Sequence, residues 1–249
     1  MTIPFLLSRE GRPEARPGSL PDAGVAAPPR APAVLADLGP WAQLRAGRLG
    51  RRLTQLVAGL LLYGASLALM VRGGLGLAPW DVLHSGFTRH VPITLGQAVI
   101  LLSFVVLLLW VPLREKPGIG TIANALLVGL SADATLALLA PAASLGWGVA
   151  LLTAGVVLNG LATAMYIGAQ FGRGPRDGLM TGIARRTGAS LRLVRTSLEV
   201  TVVVIGLLLG GALGAGTVLY ALAIGPLTQR WLPAWVVPVA APPRRRTTA

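Results

Sequence analysis

The chain has 249 residues, of which 53% are hydrophobic and only 12% are charged, and its mean hydropathy is +0.68. Soluble domains carry about 25% charged residues, so this composition excludes an ordinary soluble fold and indicates an integral membrane protein. The net charge of +13 would suggest nucleic-acid binding in a soluble protein. Here the basic residues cluster in the tails and between apolar runs, as in loops that face anionic lipid, so no nucleic-acid partner is expected.

The two ends of the chain differ in composition from its middle. Residues 1–44 are rich in Pro, Ala, Gly and Arg without hydrophobic periodicity, which predicts a disordered cytoplasmic tail. Its apolar start is too short for a signal-peptide core, so we expect no cleavage. Residues 233–249 are predicted to form a basic carboxyl-terminal tail.

Six apolar runs lie between the tails, and each is near the roughly 20 residues that a helix needs to cross a bilayer. A backbone in lipid must satisfy its own hydrogen bonds, and the runs lack the alternation of barrel strands, so we predict helices. The runs are Leu53–Val71, Leu95–Val111, Gly120–Leu139, Leu145–Ile167, Leu191–Leu209 and Thr217–Leu232.

Two further segments, Pro79–His90 and Pro175–Thr187, contain charged residues and are too short to cross. As helices they would extend about 16–20 Å, against a hydrocarbon core of about 30 Å. We therefore predict an all-α polytopic membrane protein with about six transmembrane helices and two short re-entrant or half-helices.

The short segments belong to an internal duplication. Gly76–Asp81 aligns with Gly172–Asp177 at an offset of 96 residues, and the same offset aligns further glycines, arginines and leucines on both sides. Matches of Gly, Pro, Asp and Arg in one register are improbable by composition alone. The duplication predicts two membrane repeats, residues 45–144 and 145–232, an organisation typical of transporters.

The placement of basic residues predicts how the repeats lie in the membrane. With six crossings and a cytoplasmic amino terminus, most basic connections fall on the cytoplasmic side, whereas crossing by the short segments would move Arg114 and Lys116 outside. Three crossings per repeat is an odd number, so the second repeat is predicted to be inverted relative to the first. The half-helices would then enter from opposite sides and meet near mid-membrane.

Several motifs carry a resemblance to a known family. The runs GLGLAPWDVL, PGIGTIANALLVGL, GRGPRDGLMTGIARRTGAS, VRTSLEV and GAGTVLYALAIGPL resemble those of the YczE-like bacterial membrane proteins, which are related to the YitT and YyaS proteins. The resemblance covers about Arg51 to Leu232. It implies a multi-pass protein of the bacterial inner membrane, with no defined substrate. Combined with the charge pattern, it leads us to expect both termini in the cytoplasm.

Asp81 and Asp177 occupy equivalent positions, each two residues after a proline. One interpretation is purely structural, because a carboxylate in the first helical turn stabilises the free N–H groups there. The other is functional: ionisable groups within a membrane are costly and mark pathways, so the pair would bind a cation, a proton or a basic substrate. Arg176, beside Asp177, would neutralise a carboxylate or engage an anionic substrate.

Further polar candidates lie inside the apolar runs. Arg195 and Glu199 share one helical face at a spacing of four, and are either an ion pair at the membrane edge or part of a substrate or proton path. Asn159 aligns with Tyr63 and Asn124 with Tyr220. These residues are expected either to hold helices together in lipid or to line a cavity.

The sequence contains no P-loop, H-E-x-x-H or G-x-S-x-G motif, so no enzymatic activity and no cofactor are expected. His84 and His90 are too isolated to indicate a metal site. The pattern favours a carrier or channel that moves a small solute or ion through a site at the repeat interface. A non-transporting assembly factor or scaffold is the alternative. The expected partners are the lipid bilayer and that solute or ion, and the sequence leaves a homo-oligomer open.

Overall fold

The computed structural model describes residues 39–239, and within that range the chain forms nine α-helices and no strand. This confirms the all-helical class. The helices are α1 (Pro40–Arg45), α2 (Leu49–Gly73), α3 (Pro79–Phe87), α4 (Leu95–Leu113), α5 (Ile119–Leu138), α6 (Leu145–Gly168), α7 (Pro175–Thr187), α8 (Leu191–Leu208) and α9 (Ala215–Trp235).

Local sequence signals explain where these helices begin. Prolines open α1, α3 and α7, where their fixed φ suits the first turn and the missing N–H costs nothing. Thr94 caps α4 and forms a reciprocal capping box with Gln97. The hydroxyl groups of Ser144 and Ser190 cap α6 and α8 by accepting from the N–H groups of Trp147 and Leu193.

The duplication is visible in the secondary structure. Helices α2, α3, α4 and α5 begin at residues 49, 79, 95 and 119, and α6, α7, α8 and α9 begin at 145, 175, 191 and 215. Each pair of starts is therefore 96 residues apart, the spacing of the sequence repeat. Each half contributes one long helix, one short helix and two further long helices in the same order.

The long helices α2 and α6 pack against each other at the centre of the molecule. Helix α5 packs on α2, and α9 packs on α6, so the central pair is flanked on both sides. The largest buried cluster joins α2 to α4, α5 and the end of α6 through residues such as Leu60, Val99, Val128 and Tyr166.

Each short helix packs against a long helix of the other repeat: α3 packs on α8, and α7 packs on α4. The indole of Trp110 in α4 lies against Gly178 in α7, leaving no room for a Cβ, and its Nε1 donates to the carbonyl of Pro175 at 3.0 Å. Reciprocally, Gly206 in α8 lies against the backbone of Leu83 in α3. These exchanges tie the two repeats together around both short helices.

Both short helices begin in the interior and end beside the carboxyl end of a long helix. Pro79 and Pro175 are buried. A Cβ on Gly182 in α7 would lie 3.0 Å from Leu113 at the end of α4, and one on Gly86 in α3 would lie 2.9 Å from Leu209 just after α8.

Four of the nine helices of residues 39–239, namely α2, α4, α5 and α6, are long and apolar enough to cross a membrane. Helix α8 carries three charged residues, Arg192, Arg195 and Glu199, and α9 contains a polar Thr-Gln-Arg run. The count of six crossings therefore remains a prediction.

The predicted tails meet the helical region at both ends. Residues 40–45, at the boundary of the predicted amino-terminal tail, form α1, and α9 continues to Trp235 inside the predicted carboxyl-terminal tail. The N–H of Val237 then donates to the carbonyl of Gly168. The rest of both predicted tails lies outside the described residues.

Candidate functional site

A polar cavity of about 190 Å³ lies where the two short helices begin. Such a volume is far above the roughly 10–15 Å³ needed for one water molecule, so it has room for a small solute. Both repeats contribute to its walls. The lining residues include Tyr63, Pro79, Trp80, Thr163, Tyr166, Arg176, Asp177, Arg195, Glu199, Tyr220, Gly225 and Thr228.

All three tyrosines of the chain line this central cavity. The hydroxyl of Tyr166 donates to Oδ2 of Asp177, and the rings of Tyr63 and Tyr166 meet edge-on with centroids 6.2 Å apart. The hydroxyl of Tyr220 donates to Asn159 at 2.9 Å. In a chain dominated by Leu, Ala and Gly, the convergence of every tyrosine distinguishes this cavity from the rest of the interior.

Asp177 and Arg176 stand in the first turn of α7 and are both half-buried. Asp177 lines the central cavity and also an adjoining cavity of about 40 Å³. The guanidinium of Arg176 lies 5.1 Å from the centroid of the Trp80 ring, a cation–π distance. It therefore joins the start of α7 to the start of α3.

Asp81 is buried and lines neither the central cavity nor the small adjoining cavity. Its Oδ1 is 2.9 Å from Nδ1 of His84 and 3.7 Å from a terminal nitrogen of Arg176. Arg176 thus faces a carboxylate, as one interpretation of the sequence predicted, and this carboxylate is Asp81 of the other repeat. The sequence analysis did not pair His84 with Asp81, although an Asp and a His three apart on a helix share one face.

Arg195 and Glu199 form an ion pair on α8, with Nε of Arg195 2.8 Å from Oε1 of Glu199. Both side chains line the central cavity, and they retain 46% and 26% exposure respectively. The pair therefore lies at the rim of the cavity, one to two turns from the start of α8.

The two predicted asparagines occupy different environments. Asn159 is buried and fully engaged: its amide donates to Oγ of Ser66 at 2.8 Å and its carbonyl accepts from Tyr220. Asn159 joins α6 to α2 and α9. It lines neither the central cavity nor the adjoining one, which agrees with the helix-joining interpretation. Asn124 lines the small adjoining cavity together with Asp177.

The two repeats differ in how their last two helices pack together, α4 on α5 in the first and α8 beside α9 in the second. In the first, the carboxylate of Asp133 on α5 accepts hydrogen bonds from the hydroxyl of Thr94 and the N–H of Gly96 at the start of α4. In the second, Gln229 and Arg192 stand at the positions of Asp133 and Gly96. No close packing joins α8 to α9. The α4–α5 seam is thus closed, whereas α8 and α9 both line the central cavity without packing closely on each other.

A buried arginine lies away from the cavity, and the sequence analysis did not single it out. Arg52 in the first turn of α2 is completely buried and donates to the carbonyls of Gln43, Ala169 and Gln170 at 2.6–2.9 Å. Its guanidinium also lies 4.3 Å from the centre of the Phe171 ring. No local pattern distinguishes it from the exposed Arg51 before it.

Within residues 39–239, no group of three His, Cys, Asp or Glu side chains converges as metal ligands do. The site described is instead a set of charged and phenolic side chains. It lies at the starts of two short helices and on the rim of a seam between two longer ones.

The fold and the site define a class: a helical membrane protein built from a duplicated unit, with a polar cavity where the halves meet. The sequence matches the family described as "Family of unknown function (DUF6198)" over residues 50–233, and the chain belongs to that family.

Three relatives support this membership. A protein of Haemophilus influenzae named "Uncharacterized protein" is 40% identical over 71% of this chain and 81% of its own length. The "Uncharacterized membrane protein YczE" of Bacillus subtilis is 32% identical over 80% of this chain and 93% of its own length. YyaS of the same organism is 27% identical over 70% and 89%. The resemblance to YczE-like proteins is thereby confirmed. No solved structure matches the chain.

Proposed function

We propose that this protein is a carrier or channel that moves a small solute or ion through the central cavity, at the interface of two inverted repeats. The observation that carries the proposal is the placement of Arg176 and Asp177 of one short helix and Trp80 of the other around one polar cavity. Half-helix starts that converge on charged groups at a repeat interface are how many secondary transporters form a substrate site. The solute would pass through the cavity without being chemically altered.

The contacts of the short helices support the inverted arrangement. Helix α7 ends beside the carboxyl end of α4, whereas α3 ends beside the carboxyl end of α8. The start of α8 and the end of α4 line a common cavity and therefore lie on the same side of the molecule. If α8 crosses the membrane, its end lies on the opposite side. Helices α7 and α3 would then end on opposite sides of the membrane. This favours short helices that enter from opposite sides. With six crossings, the positive-inside rule would place both termini in the cytoplasm.

The unequal seams support access from one side at a time. The α4–α5 seam is closed by Asp133, whereas the repeat-related helices α8 and α9 line the central cavity without packing closely on each other. A carrier needs one closed and one open route in each of its states. We infer that transport exchanges the two seams.

Replacing Asp177 with asparagine is expected to lower transport by about tenfold or more, because a neutral amide loses the charge that faces the solute and accepts from Tyr166. The measurement is uptake into proteoliposomes, with purified protein and a panel of labelled amino acids, sugars and monovalent cations. Tyr166→Phe should give an intermediate loss.

The matched control is Glu115→Gln, which neutralises a carboxylate that is paired with Arg185 and does not line the central cavity. All variants are compared at equal reconstituted amounts. Wild-type rates in Asp177→Asn would remove Asp177 from the site. The absence of uptake of every solute by the wild type would favour the scaffold.

Cysteine labelling tests the inverted topology, because the chain has no native cysteine. His90, which lies within 3.2 Å of the Leu209 carbonyl, and Arg186 in the last turn of α7 are both exposed. In spheroplasts we expect a membrane-impermeant maleimide to label His90→Cys directly and Arg186→Cys only after permeabilisation. Labelling of both from one side would contradict the inverted repeats.

One observation favours the alternative, a non-transporting assembly factor or scaffold. Asp81 is buried, faces His84 and Arg176 and does not line the central cavity, as expected of a carboxylate with a structural role. The two functions differ in the expected effect of Asp177→Asn. In a carrier the substitution lowers solute uptake. In a scaffold the wild type shows no solute uptake, and the variant keeps its partner protein bound.

A further inference from the structure

A second cavity, of about 580 Å³, lies away from the central one and is surrounded by cationic side chains. It is formed by the α4–α5 connection, the segment before α7, the last turns of α7 and the start of α8. We call it the basic cavity. Its lining residues are Gly39, Pro40, Arg114, Glu115, Lys116, Arg173, Thr181, Ala184, Arg185 and Leu191.

Its single acidic residue is already paired. Oε1 of Glu115 lies 2.9 Å from a terminal nitrogen of Arg185, whose other terminal nitrogen donates to the carbonyl of Leu113 at 3.0 Å. This pair fastens the end of α7 to the end of α4. The remaining three cations, Arg114, Lys116 and Arg173, therefore leave the cavity with a positive charge that no carboxylate in its lining offsets.

Two of those three cations lack a partner among residues 39–239. The side chains of Arg114 and Lys116 make no hydrogen bond or ion pair there, whereas the side chain of Arg173 donates one bond to the hydroxyl of Thr181 at 3.1 Å. The backbone of Arg114 is held in place as the cap of α4, with φ of +54° and its N–H bonded to the carbonyl of Val111. Little backbone entropy would be lost when its guanidinium binds an anion.

The start of α8 adds a further favourable feature. Leu191, the first residue of this 18-residue helix, lines the cavity, and the positive end of the helix dipole with its free N–H groups attracts anions.

The fold does not require this concentration of charge. At the equivalent positions of the opposite repeat, Arg114, Lys116 and Arg173 are replaced by Gly210, Ala212 and Leu77. Only Arg185 has a cationic counterpart, Arg89. These three cations are therefore peculiar to one end of the molecule, and structural symmetry does not account for them.

The donor set indicates the chemistry of the ligand. Guanidinium groups offer paired N–H donors that match the oxygens of a phosphate, and a lysine adds a point charge. Three uncompensated cations and a helix start favour a phosphate group over a carboxylate with a single charge. We propose that the basic cavity binds a phosphate group, carried either by an anionic lipid headgroup or by a soluble phosphate compound.

The test compares the full-length protein with a triple variant, Arg114→Gln/Lys116→Gln/Arg173→Gln, which leaves the Arg185–Glu115 pair intact. The matched control removes three exposed cations outside the cavity, Arg45→Gln/Arg48→Gln/Arg51→Gln. One arm measures retained phosphatidylglycerol against phosphatidylcholine by native mass spectrometry. The other measures binding of inorganic phosphate and pyrophosphate by calorimetry in neutral detergent.

We expect the wild type and the control to bind at least one of these probes, and the cavity variant to bind it about tenfold or more weakly. Preference for phosphatidylglycerol alone identifies a lipid headgroup as the source, and binding of free phosphate or pyrophosphate identifies a soluble one. Binding of neither by the wild type, or an equal loss in the control, overturns the proposal.

A charge-preserving variant, Arg114→Lys/Lys116→Arg/Arg173→Lys, covers the case in which the glutamine variant fails to fold. It should retain most of the binding, within about threefold of the wild type, because the charge remains while the paired donors change. Complete loss of binding in this folded variant would also contradict the proposal. None of these residues lines the central cavity, so transport activity reports separately on the proposed function.

Discussion

Replacement of Arg52 by alanine is expected to lower the free energy of unfolding by about 2–4 kcal/mol, the largest stability loss that we expect from any single cation of the described helices. Three carbonyl groups would lose a charged donor at once, and the Phe171 ring would lose its stacked guanidinium. Removing a buried charge recovers some desolvation cost, which keeps the expected loss below the sum of three separate bonds.

This loss has structural consequences beyond α2. Gln43 belongs to α1, and Ala169 and Gln170 follow α6, so one guanidinium joins three separate parts of the chain. We expect α1 to detach first, which should be visible as faster hydrogen exchange at residues 40–45. The measurement is thermal unfolding of purified protein in detergent, followed by size-exclusion chromatography.

Arg51→Ala is the control, since Arg51 is the preceding residue and is exposed. It should change the stability by less than about 0.5 kcal/mol. Arg52→Lys retains the charge but not the planar fork, so it should lose most of what alanine loses. Equal stability of Arg51→Ala and Arg52→Ala would show that the three hydrogen bonds contribute nothing net.

The second large effect concerns two glycines that are equivalent in the repeats. A Cβ on Gly129 would lie 2.6 Å from the Ile100 side chain and would also overlap the carbonyl of Gly96, whereas a Cβ on Gly225 would meet no atom within 4 Å. We expect Gly129→Leu to destabilise the protein by about 2–3 kcal/mol through overpacking of the α4–α5 seam. Gly225→Leu should leave the unfolding temperature within about 2 °C of the wild type.

The same pair of variants separates stability from transport. Leucine at position 225 would project into the central cavity, which Gly225 lines, so we expect a folded protein with strongly reduced uptake. The measurements are thermal unfolding and proteoliposome uptake for both variants. Strong destabilisation by Gly225→Leu would show that the α8–α9 seam is as tightly packed as the α4–α5 seam.

Much of the candidate site could be predicted from the sequence because its signals are local or are repeated. The Pro-x-Asp starts of α3 and α7 place Asp81 and Asp177 in first turns, and the spacing of four places Arg195 and Glu199 on one face of α8. What could not be predicted is which carboxylate lines the cavity. Asp81 is covered by partners from its own helix and from α7, while Asp177 is reached from the cavity.

The sequence by itself determined the membrane class, the positions of the eight helices from α2 to α9 and the 96-residue duplication. These follow from hydrophobicity, proline and serine starts and coincident residues, all of which act over short stretches of chain or by simple alignment. Only the tertiary structure decided that every tyrosine meets at one cavity, that Arg52 is buried and that one seam is closely packed while its counterpart is not. The physical reason is that these features depend on contacts between residues far apart in the chain, as between Arg52 and Ala169, which are separated by 117 positions. Such contacts arise only when helices from the two repeats pack together.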